Sequence, residues 1–176
     1  MLDPALAWVL RIALSALLLR AAFHKARDPQ AFGESLRAYE IVPTRLSDGA
    51  AHGLIALEAL LALCLWLPPV AAAAALGTAT LIACYGVAIA WNLARGRRSL
   101  DCGCFGPGQR QSISEWMLVR NLLWVATGAI AALPQSARAL HWLDAPTALV
   151  GGLCLALLAA TLEQLVALSS PTGRSA

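Results

Sequence analysis

Long apolar runs alternate with short polar interruptions along this chain, and five of the runs are long enough to span a lipid bilayer. A hydrocarbon core takes about 20 predominantly apolar residues of helix. The runs cover about residues 4–23, 49–67, 70–91, 116–133 and 146–168. The first carries Arg11 and Arg20, and the second carries Glu58 near its centre. A cleavable leader needs basic residues ahead of its apolar core and small residues after it. Here Asp3 precedes the run and Phe23-His24-Lys25 follows it, so the first run is expected to be a retained span.

The connections differ in kind. Pro68-Pro69 is a tight hairpin, because proline ends one helix and suits the first turn of the next. The stretch from Pro134 to Ala145 is also short. Two longer polar connections are expected on one common side of the membrane. The first, His24 to Asp48, places Asp28-Pro29 as a helix start, then Phe32, Leu36 and Tyr39 at helical spacing. That pattern predicts an amphipathic helix over about residues 29–42, lying in the interface plane. The second runs from Asn92 to Glu115 and ends in Ser112-Ile113-Ser114-Glu115, which fits a capping box for the fourth span. Trp8, Trp66 and Trp142 fall at one expected interface and Trp91 and Trp116 at the other, as aromatic belts do. Trp124 falls inside a span and reads as packing.

Composition agrees with this pattern. Apolar residues form 59% of the chain and charged residues 13%, against about 25% charged in soluble domains. Mean hydropathy is +0.67. The expected architecture is therefore all-α, a single polytopic membrane helical bundle whose first partner is the lipid bilayer. A diffuse net charge of +3 offers no basic cluster for nucleic acid. Lys25, Arg27, Arg37, Arg45, Arg95, Arg97, Arg98 and Arg110 all fall in the two long connections, which by the positive-inside rule would face the cytoplasm.

Of the five cysteines, Cys64, Cys84 and Cys154 sit in apolar runs, where a thiol behaves as a small hydrophobe. Cys102 and Cys104 stand in the polar loop over residues 92–115, separated by Gly103 and followed by Gly106 and Gly108. A disulfide between such near neighbours is strained and exchanges readily, and nearby Arg97, Arg98 and Arg110 favour thiolate. A catalytic redox dithiol is the leading reading. A loop staple is the alternative, and two thiolates are too few for a closed zinc site.

Ionisable residues inside a bilayer need a partner or a task. Arg11 and Glu58 come to similar depth by residue counting and are expected to pair as structure. His24, Lys25, Arg120 and Asn121 gather at the membrane level of the cysteine loop. They could support the dithiol or bind a quinone head group, although snorkelling explains Lys25 and Arg120 as well. Glu163 is expected to reach the interface.

The segment Leu93-Ala94-Arg95-Gly96 through Asp101-Cys102-Gly103-Cys104-Phe105-Gly106, then Ile113-Ser114 and Arg120-Asn121, resembles the MauE family of membrane proteins. So does Phe23-His24-Lys25-Ala26-Arg27-Asp28-Pro29, with Leu36, Tyr39 and Pro43 after it. The resemblance implies a DoxX-like four-helix core, here with an additional transmembrane helix. It implies a redox role in maturing the small subunit of methylamine dehydrogenase or a similar disulfide-bearing client, with a thioredoxin-like partner of the MauD type. It also implies an inner-membrane protein whose cysteine loop lies outside the cytoplasm, against the basic-residue bias. A non-catalytic assembly scaffold is the competing function.

Overall fold

A computed structural model describes residues 1–98, 100 and 113–169, with side chains to 166. The Cys102-Gly103-Cys104 motif, Arg110 and Ser112 lie outside the described residues. Among the described residues six α-helices follow in order: α1 Pro4–Arg27, α2 Pro29–Tyr39, α3 Ser47–Cys64, α4 Pro68–Ala94, α5 Glu115–Ala131 and α6 Asp144–Ser169. A 3-10 turn, Thr44–Leu46, precedes α3. No strand occurs among the described residues, so the all-α membrane bundle is the observed class.

Local chemistry sets the helix ends. The Asp3 carboxylate accepts from the Ala5 N–H at 2.8 Å ahead of Pro4, which opens α1. Asp28 closes α1 and opens α2, accepting from Ala31 N–H at 3.0 Å, while Pro29 bars α1 from continuing. α2 stops at Glu40, whose φ of 55° is left-handed, so its last helical residue, Tyr39, lies four residues before Pro43. Pro68 begins α4, as the sequence predicts. The cap of α5 differs from expectation: Ser114 holds the position, without a side-chain capping hydrogen bond.

α1 is the central column, packed by α3, α5 and α6, while α4 and α5 form the other main helix pair. A core of Ala13, Leu14, Leu65, Ala74, Ala75, Ile82, Trp124 and Ala131 joins these helices, which confirms Trp124 as packing. Small residues bring backbones close. A Cβ on Gly128 would lie 3.0 Å from the Ala75 carbonyl oxygen, and one on Gly152 only 2.6 Å from Ile12 Cβ.

Among the described residues, four segments are long and apolar enough to cross a membrane: Pro4–Arg27, Thr44–Cys64, Pro68–Ala94 and Asp144–Val166. Their outward faces carry exposed leucines such as Leu60, Leu63, Leu157 and Leu158, which is what a lipid-facing surface requires. The fifth expected span is the shorter α5, 17 residues or about 25 Å of helix. It packs along α4 and α1.

Both long connections meet at one end. Arg95 and Arg97 donate to Glu40 at 3.2 and 2.8 Å, Asn92 Nδ2 donates to the Tyr39 carbonyl at 3.3 Å, and Ile113 N–H to the Leu100 carbonyl at 3.0 Å. At the opposite end Leu2 N–H donates to Pro134 O and Ser136 N–H to Leu2 O, each at 2.9 Å. Trp8 and Trp66 also meet there, with ring centroids 6.1 Å apart. α2 lies against α3 rather than alone: Phe32 and Tyr39 are buried, and Arg37 pairs with Asp48 and donates to Ser47 Oγ at 2.8 Å.

Candidate functional site

Beneath the loop-bearing end, three polar side chains meet in the interior. Lys25, near the end of α1, donates to Glu58 Oε1 on α3. Tyr85 on α4 donates to the same oxygen at 2.8 Å and accepts from Lys25 Nζ at 3.4 Å. The ammonium lies 4.7 Å from the ring centres of both Phe32 and Tyr85, so two π faces and a carboxylate replace its hydration shell. The Lys25 and Glu58 side chains are 2% and 1% exposed. Glu58 Oε2 is buried with no hydrogen-bond partner among the described residues.

A second cluster adjoins the first. Glu163 of α6 accepts from Arg20 through Oε2 and from Arg120 through Oε1, the latter at 3.4 Å. Arg120 also donates to Asn121 Oδ1 at 3.2 Å. A cavity of about 50 Å³ connects the clusters, lined by Lys25, Glu58, Tyr85, Arg20, Arg120, Asn121 and Glu163 among others. That is room for roughly three water-sized groups. Three cations face two carboxylates, so the cluster carries a formal charge of +1. It can hold a small polar group that donates to Glu58 Oε2, and it can pass protons between oxygen and nitrogen atoms.

The structure brings together Lys25, Arg120 and Asn121, three of the four residues picked out as support for the cysteine pair. His24 is not among the cavity-lining residues; it is half-buried, with its ring 6.0 Å edge-on to Phe23. Cys102 and Cys104 lie outside the described residues. Cys64 is half-buried, and Cys84 and Cys154 are exposed on the outer faces of α4 and α6.

The expected Arg11–Glu58 pair does not form. Ser15 Oγ donates to the Ala62 carbonyl at 3.0 Å, which sets Arg11, one turn earlier, level with Trp66. Glu58 is eight residues from Trp66, about 12 Å along the axis. Equal residue counts do not give equal depth, because the first turns of α3 lie beside α2 and its entry into the bundle comes later than Gly49. Arg11 is buried at the opposite end, where Gln135, turned with its amide oxygen inward, accepts from Nη2 at 2.6 Å and Nη1 at 3.3 Å. Its guanidinium also sits 5.8 Å from the Trp8 ring centre.

Glu163 likewise departs from expectation: it is buried, not at the interface, because two arginines hold it. Arg20 and Glu163 had a sequence signal, a charge inside an apolar run. Tyr85 had none, since a tyrosine in a helix reads as packing until its hydroxyl is seen against a carboxylate.

Residues 3–134 match the family described as methylamine utilisation protein MauE. Among curated relatives, the methylamine utilization protein MauE of Paracoccus denitrificans is 37% identical over 77% of this chain and 76% of its own length. That of Paracoccus versutus is 38% identical over 89% and 84%, and that of Methylorubrum extorquens 34% identical over 80% and 71%. No solved structure matches this chain. On a family match across most of its length and relatives this similar, the chain belongs to the MauE family.

Proposed function

We propose that this protein is a membrane thiol–disulfide component serving methylamine utilisation. In this reading Cys102 and Cys104 exchange disulfides with a thioredoxin-like partner of the MauD type. The client is a disulfide-bearing protein such as the small subunit of methylamine dehydrogenase. The carrying observation is that both flanks of the cysteine loop, Leu100 and Ile113, are tied together at the bundle end that holds the buried cluster. Lys25, Glu58 and Tyr85 form a hydrogen-bonded set suited to handling the two protons that leave when a dithiol becomes a disulfide. The protein sits in the cytoplasmic membrane, with α5 as a fifth crossing and the loop on the extracytoplasmic side.

The test uses a deletion strain dependent on methylamine and a gel that traps free thiols across a redox buffer series. The wild-type pair is expected to titrate reversibly, and Cys102→Ser/Cys104→Ser to abolish growth on methylamine. Full growth of the double variant sinks the thiol mechanism. It leaves the scaffold reading, which the mutual pairing of Arg20, Glu163 and Arg120 also favours, because ion pairs that join α1, α5 and α6 serve structure without turnover. Labelling by a membrane-impermeant maleimide after reduction of intact cells tests the orientation; labelling only after lysis puts the loop in the cytoplasm.

A further inference from the structure

Between α1 and α6 lies a slot of about 170 Å³ on the outer face of the bundle. Ala16, Ala156 and Ala160 make its walls, Trp124 lies at its inner side, and Arg20 and Glu163 form its polar end. The slot and the buried polar cavity share Leu17, Arg20, Trp124 and Glu163. An apolar groove open to acyl chains thus leads, through one ion pair, to a polar interior containing the unpartnered Glu58 Oε2. A cavity of about 150 Å³ suffices for a benzene ring, so the slot admits one six-membered ring with its tail left in lipid. Its polar end offers a guanidinium donor beside a carboxylate acceptor, complementary to a ring that carries carbonyl oxygens when oxidised and hydroxyls when reduced.

We infer that the slot between α1 and α6 binds the ring of an isoprenoid quinone, with its oxygen at Arg20 and Glu163. The inference rests on the thiol reading for its chemistry. Two thiols lose two electrons and two protons as one S–S bond forms, and the quinone takes both electrons and both protons to become a quinol. The slot itself is built from α1, α5 and α6 and stands on geometry alone.

The experiment measures decylubiquinone binding to the full-length protein in phospholipid nanodiscs, with a photoreactive ubiquinone mapping the contact. Saturable binding and labelling of α1 and α6 are expected. Ala160→Phe fills the slot and Arg20→Gln removes the ring's charged donor while leaving Glu163 paired with Arg120. Each is expected to weaken binding about tenfold or more, while Cys102→Ser/Cys104→Ser binds as wild type. Absence of saturable binding, unchanged affinity in both slot variants, or a slot held by a phospholipid chain that decylubiquinone does not displace overturns the inference. A cysteine pair that cycles in cells without quinone binding removes this proposal and leaves the thiol reading. Quinone binding beside cysteines that never cycle does the reverse.

Discussion

Lys25 and Glu58 show how a membrane interior tolerates full charges. Each is costly alone, and together they are stabilised by the shared Tyr85 hydroxyl and the two flanking rings. Removing one partner strands the other, at about 3–5 kcal/mol. Lys25→Met and Glu58→Leu are therefore each expected to lower stability by about that amount in a detergent-denaturant titration. The double variant is expected to recover most of the loss, since an apolar pair of similar volume needs no neutralisation. Additive losses in the double variant sink the claim that the two act as a pair.

At the scale of elements, two junctions decide how the helices sit. Gly152 lets α6 approach α1 so closely that an added Cβ meets Ile12 at 2.6 Å. Gly152→Val is expected to cost about 1–3 kcal/mol through overpacking and to expose α6 to protease before the rest of the bundle; unchanged protection argues against this contact. At the loop-bearing end, Glu40 joins α2 to the start of the cysteine connection through Arg97 and Arg95. The Arg97 side chain, hydrogen-bonded to it, holds the Glu40 carboxyl below its usual range. A depressed carboxylate contributes fully above its unfolded pKa, and the contribution is lost as pH falls through the folded value. The protection of residues 36–42 against hydrogen exchange, taken relative to the intrinsic rate at each pH, is expected to fall on acidification in the wild type and to lose that dependence in Glu40→Gln. An acid response that survives Glu40→Gln assigns the junction to other groups.

Across the whole molecule, α5 packs along α4 and α1 between the end that carries α2 and the end that carries Leu2 and Pro134, which supports the proposed fifth crossing. Reporter fusions after Gln135 and after Tyr39 are expected to report opposite sides of the membrane. The same side for both turns α5 into a re-entrant element. Its 17 residues are at the short end of what a bilayer accepts.

The sequence alone determined the membrane class, the proline-marked starts of α1, α2 and α4, the common side of the two long connections and the presence of charge inside the apolar runs. These are local properties: proline geometry, cap chemistry and unbroken hydrophobicity act over a few residues. Only the tertiary structure decided who meets whom. Depth counted along separate helices paired Arg11 with Glu58, whereas the elevation of α3 beside α2 brought Lys25 to Glu58 and left Arg11 to Gln135. Glu163 and Arg20, 143 positions apart, became partners only once α6 had packed along α1. Pairing between helices depends on axial register, which packing sets and no local pattern encodes.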